Sequence, residues 1–158
     1  MWIFLSNICK VLNDFNVQYL IIGGTCVAYH SEYRSTTLSD GKKTDKYDFD
    51  IWYRPTLDNY VNLMKSLKIF GFKDINDYYK FEYFRKSYDD YQLDFLPTIN
   101  DIPINDSKKK FKEYYNNRDI STINNINLYF LSKKDLISIK SNSDRPKDIG
   151  DIKLLTKK

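Results

Sequence analysis

The chain has 158 residues, of which 42% are hydrophobic and 16% aromatic, and its net charge is +4. This composition excludes an intrinsically disordered chain and fits one globular domain over residues 1–158. With only two cysteines, Cys9 and Cys26, a disulfide scaffold is not expected, and the modest positive charge fits an anionic partner without identifying one.

The N-terminal region is predicted to form a helix, a strand and a second helix. Apolar residues recur with helical spacing over residues 2–15. Residues 17–22 are β-branched and aromatic, so we expect a buried strand that enters a tight turn at Gly23 and Gly24, followed by a helix over 25–31. No basic leader precedes this region, and the mean hydropathy is −0.58. We therefore expect a cytoplasmic protein without a membrane segment.

The next segment contains a polar loop, a strand and a helix. Residues 35–46 are almost without apolar side chains and predict a mobile loop, interpreted either as a lid over a nucleotide or as a surface excursion. Residues 47–53 alternate as a strand. A helix over 57–70 should follow, with Gly71 as its C-cap.

The second half has weaker patterns. Aromatic runs at 80–85 and 91–96 predict a hairpin with a polar turn at 86–90. Residues 100–127 are rich in Asn, Lys and Asp, and indicate at most a short helix near 111–115.

The C-terminal pattern completes the predicted fold. Residues 128–131 predict a strand, Ser132 an N-cap, and Pro146 the first position of a last helix. We therefore predict an α+β fold in which a small mixed β-sheet is backed by helices on one side, with the acidic site near one edge and a C-terminal helical segment beside it.

Three aspartates are the candidate catalytic and metal-binding residues. Asp48 and Asp50 are two positions apart on a predicted strand, so their carboxylates share one face and repel each other unless a cation lies between them. Asp94 lies in an otherwise apolar strand, where an unpaired carboxylate would cost several kcal/mol to bury. A metal shared by all three would offset that cost, although an isolated Asp-x-Asp also fits an acidic, solvent-facing strand. Oxygen ligands without His or Cys favour Mg²⁺ or Mn²⁺, and thus a phosphate substrate.

These motifs resemble those of a known superfamily. The segments 20–25, 48–52 and 93–96 are similar to the nucleotidyltransferase superfamily with a DNA-polymerase-beta-like fold. The tail from Asp135 to Ile152, with Lys140, an Arg-x-Lys-Asp motif at 145–148 and Asp151, resembles the ending of the subgroup related to type IV toxin–antitoxin nucleotidyltransferases. Related sequences often place Arg-x-Thr directly before the Asp-x-Asp, whereas here residues 37–47 intervene and leave the roles of Arg34 and Thr36 open.

The resemblance implies roles for named residues. Asp48 and Asp50 would hold the metal on the nucleotide, and Asp94 would complete a second metal site and help to deprotonate the attacking hydroxyl. Gly23 and Gly24 would approach the phosphates through backbone N–H groups. The remaining nucleotide-binding candidates are Thr25, Lys140, Arg145 and Asp148.

The function implied by the resemblance is transfer of a nucleoside monophosphate from an NTP, with Mg²⁺ or Mn²⁺ as cofactor. The expected acceptor is a hydroxyl on RNA or protein, in a toxin–antitoxin or phage-defence setting with a possible partner protein. Two alternatives are a non-catalytic nucleotide-binding or antitoxin-like module, and a small-molecule nucleotidyltransferase of the antibiotic-modifying type.

Overall fold

The computed structural model describes residues 1–31, 47–73, 75 and 80–157. The predicted loop at 35–46, with Arg34 and Thr36, lies outside these residues. The described elements, in chain order, are α1(Trp2–Asp14), β1(Tyr19–Ile22), α2(Gly23–His30), β2(Tyr47–Tyr53), α3(Leu57–Phe70), β3(Phe84–Tyr88), β4(Tyr91–Leu96), α4(Ile104–Asn116), β5(Asp119–Ile123), β6(Ile126–Phe130), α5(Lys133–Ser141) and α6(Pro146–Thr156). None of these helices is both long and apolar enough to serve as a transmembrane span.

The strands form one mixed sheet in the order β3-β4-β2-β1-β6-β5. Strands β2 and β4 are parallel, as are β1 and β6, whereas β1 pairs antiparallel with β2. The hairpins β3-β4 and β5-β6 form the two ends of the sheet. The predicted α+β fold with a mixed sheet is therefore confirmed. Of the three aspartates expected near one edge, Asp94 lies on β4 next to the edge strand β3, whereas Asp48 and Asp50 lie one strand further in, on β2.

Helices cover both faces of the sheet, which corrects the prediction of helices on one side only. On one face, Phe4 of α1 stacks on the fully buried Phe49, with ring centroids 5.9 Å apart. On the opposite face, Trp52 packs edge-on against Phe111 of α4 at 5.1 Å and its indole N–H donates to the carbonyl of Pro97. Burial of such aromatic side chains contributes about 1.5–3 kcal/mol each and fixes which face the aspartates occupy.

Several helix ends follow the predicted local chemistry. Gly71 caps α3 in the left-handed region with φ 113°, where glycine has no steric penalty. The Ser132 hydroxyl accepts a hydrogen bond from the Asp135 N–H at 3.1 Å, and Pro146 occupies the start of α6. Ser132 and Pro146 mark the starts of α5 and α6, which follow β6 in the chain and lie beside the sheet.

Other element boundaries differ from the predictions. Helix α2 begins at Gly23, so the two glycines form its first turn and not a separate turn before it. Strand β3 runs to Tyr88, and only Asp89 and Asp90 form the hairpin turn. Helix α4 is 13 residues long, and β5 was not predicted. Both lie in the polar region 100–127, where few side chains are buried.

Candidate functional site

The register of the strands places the candidate aspartates on one face of the sheet. Asp50 pairs with Asp94 on one side and with Ile22 on the other, while Asp48 pairs with Gln92. Directly paired residues on neighbouring strands project to the same face of the sheet. The sheet therefore concentrates negative charge at the junction of β2 and β4.

The pKa of the Asp50 carboxyl group reflects the nearby negative charges. Burial, together with the charges of Asp94 and Asp48, raises the pKa of Asp50 to about 6, although Lys147 and Lys140 act in the opposite direction. A group with this balance of neighbours is stabilised by an additional cation. Asp50 is thus the acid whose surroundings most favour a bound metal.

Gly23 lies directly against Asp50. The Gly23 backbone has φ 64°, and a Cβ atom at this position would overlap the Oδ2 atom of Asp50. Only glycine satisfies both constraints without strain. The result is close contact between the first turn of α2, with its free N–H groups and positive dipole end, and the acidic strand.

A cavity of about 350 Å³ opens between the sheet and the two C-terminal helices. From the sheet side it is lined by Ile22, Gly23, Gly24 and Asp50. From the C-terminal side the polar lining residues are Lys140, Ser143, Arg145, Lys147 and Asp148. Six residues that the sequence predicted to be catalytic or nucleotide-binding therefore line one cavity. Three come from the first half of the chain and three from its C-terminal part: Gly23, Gly24, Asp50, Lys140, Arg145 and Asp148.

The basic residues in this cavity differ in how they are engaged. Lys140 is buried, and its Nζ lies 2.7 Å from Asp148 Oδ1 and 2.8 Å from Asp151 Oδ2. Arg145 is largely exposed, and its Nε donates to Asp148 Oδ2 at 2.7 Å. Lys140 is therefore neutralised within the protein, and its first role is to hold α5 and α6 together.

Asp148 is the centre of this network. Its own burial would raise the pKa, but hydrogen bonds from Lys140, Ser143 and Arg145 lower the pKa of Asp148 to about 2. The carboxylate therefore stays ionised over the whole neutral range. Asp148 can therefore orient Arg145 through their hydrogen bond. Direct contact of this carboxylate with an anionic phosphate would be repulsive.

Lys147 is the residue that the sequence reasoning did not select. It is exposed, lines the cavity and acts electrostatically on Asp50. Within the described part of the chain it forms no hydrogen bond or ion pair, so its ammonium is available to a ligand. The sequence could have indicated Lys147, because it belongs to the Arg-x-Lys-Asp motif and stands between the predicted site residues Arg145 and Asp148.

Asp94 has a partner that the sequence did not predict. Arg85 on β3 pairs with it across the hairpin and forms a bidentate bond, with Nε to Oδ1 at 2.6 Å and Nη2 to Oδ2 at 2.8 Å. The Tyr83 hydroxyl also donates to Oδ1 at 3.0 Å. Arg85 therefore supplies an opposite charge that offsets the burial of Asp94, and metal binding by Asp94 stays a prediction.

The donor set fits a divalent metal only in part. Among the described residues no group of three His, Cys, Asp or Glu side chains has the arrangement of a metal site. Asp48 and Asp50 offer oxygen ligands on one face, and the crowded charge at Asp50 suits Mg²⁺ or Mn²⁺. Asp94, with both oxygens accepting hydrogen bonds, does not join them in this arrangement.

Thr25 also has a structural partner. Its hydroxyl donates to the main-chain carbonyl of Asp48 at 3.2 Å, and the residue is 6% exposed. Thr25 does not line the cavity. The side chain thus ties α2 to β2, and a direct bond to phosphate stays a prediction of the resemblance.

Comparison with solved structures supports the fold. The chain is similar to the crystal structure of an antigenic nucleotidyltransferase-like protein from Paracoccidioides brasiliensis, with a TM-score of 0.51 and 15% identity over 95% of this chain and 71% of that chain. The fold is thus nucleotidyltransferase-like. No family model and no curated protein matches the sequence.

Proposed function

We propose that this protein is a metal-dependent nucleotidyltransferase that moves a nucleoside monophosphate from an NTP to a hydroxyl on RNA or protein. The observation that carries the proposal is the cavity in which Asp50 and the glycine start of α2 face Lys147 and Arg145. This arrangement pairs a cation-binding acid with groups that bind phosphate. The toxin–antitoxin or phage-defence setting, with a possible partner protein, belongs to the same proposal.

Asp48 and Asp50 would hold one Mg²⁺ or Mn²⁺ ion, since they are the carboxylates that share a face beside the cavity. When bound, such an ion neutralises charge on the triphosphate and on the departing pyrophosphate. The half-buried position of Asp50 strengthens its interaction with a cation relative to a fully exposed carboxylate.

The phosphates would be bound by the protein from two sides. The N–H groups in the first turn of α2 lack intrahelical partners and can donate to phosphate oxygens, and the two glycines leave room for close approach. Lys147 offers an exposed ammonium, and Arg145, oriented by Asp148, offers its remaining guanidinium N–H groups. Lys140 acts as a positioning residue in this scheme, because it holds Asp148.

The reaction forms one bond and breaks one bond at the α-phosphorus. The acceptor hydroxyl oxygen attacks phosphorus and releases its proton to water, the bond from the α-phosphorus to the oxygen that bridges to the β-phosphate breaks, and pyrophosphate leaves with that oxygen. Positioning and charge neutralisation supply most of the rate enhancement in such transfers. Asp94 is left out as the base, since Arg85 and Tyr83 occupy its oxygens.

The direct test is incubation of the purified protein with each α-³²P-labelled NTP, Mg²⁺ and either total RNA or protein extract. Transfer of label to one acceptor class, with release of pyrophosphate, is the expected result. The label should be lost in EDTA and in the Asp48→Ala and Asp50→Ala variants. Undiminished labelling by a folded Asp50→Ala protein would refute the mechanism.

One observation favours a second candidate function, a non-catalytic nucleotide-binding or antitoxin-like module. The bond between Arg85 and Asp94 removes the third acid from the site. Such a module would bind an NTP in the presence of Mg²⁺ without turnover. Calorimetry of NTP binding, combined with a pyrophosphate assay on the same sample, separates the two functions.

A further inference from the structure

The cavity beside Asp50 has a polar half and an apolar half. The polar half lies between the glycine start of α2 and the residues around the start of α6. The apolar half is lined by five aliphatic side chains from β4, α5 and the segments that follow β4 and β6: Leu96, Ile99, Leu131, Leu136 and Ile139. Under the proposed function the phosphates of the NTP occupy the polar half, so its base occupies the apolar half.

The aliphatic walls favour a large base with few polar groups. Among the described residues that line the cavity none is aromatic, so a base packs here against branched side chains and does not stack on a ring. The stabilisation from such packing grows with the apolar area removed from water. The two rings of a purine bury more of this area than the single ring of a pyrimidine.

Asn100 adds a hydrogen-bonding group to the apolar half. Its amide nitrogen donates to the main-chain carbonyl of Ile139 at 3.3 Å, which joins the segment after β4 to α5. The amide oxygen accepts no hydrogen bond within the part of the chain that the structure describes. Since the amide carries two N–H groups, one N–H and the oxygen stay open to a ligand.

One side-chain amide satisfies adenine better than it satisfies the other three bases. The amide oxygen accepts from the N6 amino group of adenine and the N–H donates to the adjacent ring nitrogen, as when Asn reads adenine in DNA. Guanine, cytosine and uracil each keep a further amino or carbonyl group without a side-chain partner among the aliphatic walls. A polar group left unpaired costs more binding energy than a contact that is merely absent.

We infer that the apolar half is an adenine-selective base subsite and that Asn100 is its specificity-determining residue, so that the NTP is ATP. The inference rests on the proposed function for the position of the phosphates. It concerns which nucleotide binds, and it does not depend on whether transfer occurs.

The test is calorimetric titration of the purified protein with ATP, GTP, CTP and UTP in the presence of Mg²⁺. The wild-type protein should bind ATP at least about tenfold more tightly than each of the other three. Asn100→Gly removes the amide, and glycine fits the left-handed backbone at this position, where φ is 49°. This variant should bind ATP about tenfold more weakly than wild type and should lose the preference for ATP over GTP.

The matched control is Asn124→Gly in the turn between β5 and β6. Asn124 has nearly the same backbone conformation, with φ 51°, and does not line the cavity. Its replacement should leave the affinity for all four nucleotides unchanged.

Two results would overturn the inference: a wild-type protein that binds GTP, CTP or UTP as tightly as ATP, or an unchanged preference for ATP in a folded Asn100→Gly protein. If that variant does not fold, the wild-type ranking decides. Pyrophosphate release measured on the same samples separates the inference from the proposed function. ATP-selective binding without release would refute the transferase and leave the inference intact, whereas release with four NTPs of equal affinity would do the reverse. Absence of binding for every NTP would refute both.

Discussion

Gly23 is packed against Asp50 so closely that a Cβ atom at position 23 would occupy the space of the Asp50 carboxylate. This contact joins the first turn of α2 to the acidic strand β2. It explains why the chain places glycine directly after β1, at the start of α2, since both the positive φ and the carboxylate exclude a side chain.

Gly23→Ala should therefore destabilise the protein and displace Asp50. We expect the free energy of unfolding to fall by about 1–3 kcal/mol, from overpacking and backbone strain combined. NTP-dependent labelling should fall at the same time. The matched control is Gly150→Ala in α6, where an added Cβ meets no atom within 4 Å. Urea unfolding should show that control to be neutral or slightly stabilised.

Among substitutions of the basic residues of the cavity, Lys140→Met should lower the free energy of unfolding the most. It leaves Asp148 and Asp151, each about 1% exposed, without their shared cation. Removing one partner of a buried pair costs about 3–5 kcal/mol. Lys153→Met, an exposed position on α6, is the control. Equal urea midpoints for the two variants would show that the network does not stabilise the fold.

Stability at acid pH should depend on Asp148. Its pKa is about 2 in the folded protein and about 3.9 in an unfolded chain, so the folded state favours the ionised form. The stabilisation is present above about pH 4 and is lost as the pH falls towards 2. The difference in free energy of unfolding between wild type and Asp148→Asn should therefore shrink by about 2 kcal/mol over that range.

The corresponding control for acid pH is Asp14→Asn, which removes an exposed pair with Lys10. Exposed pairs contribute little, so this difference should change by less than about 0.5 kcal/mol. A constant difference for Asp148→Asn across the same range would contradict the account of the network.

Lys147→Ala should reduce transfer without affecting the fold. Lys147 is exposed and has no protein partner in the described part of the chain, so its removal leaves no buried group unpaired. Loss of one phosphate-binding cation should lower kcat/KM for the NTP about 10- to 100-fold. Lys153→Ala should leave both activity and stability unchanged. Equal activity of the two variants would exclude Lys147 from the site.

Sequence patterns predicted the elements that carry strong local signals. The bounds of β2 follow from alternation between Tyr47 and Tyr53, and the end of α3 from Gly71. The polar region 100–127 gave no such signal, because α4 buries only Ser107 and Phe111 among many exposed polar residues. Strand β5 has no fully buried residue, so its sequence lacks the expected alternation of apolar side chains.

The candidate site was also predicted only in part from the sequence. Alternation alone placed Asp48 and Asp50 on one face. The partner of Asp94 could not be found in this way, because Arg85 reaches it only through the register of β3 on β4, and the predicted turn at 86–90 was three residues too long. The engagement of Lys140 by Asp148 and Asp151 depends on the packing of α5 against α6, which no local pattern reports.

The central claim is that the Asp50 carboxylate is needed for metal-dependent transfer, and Asp50→Asn tests it most directly. Asn has nearly the same shape and removes a half-buried charge that Asp94 and Asp48 oppose, so the variant should be at least as stable as wild type. We predict that it releases pyrophosphate from NTP and Mg²⁺ at least about 100-fold more slowly than wild type. A folded Asp50→Asn protein with wild-type pyrophosphate release would contradict the account.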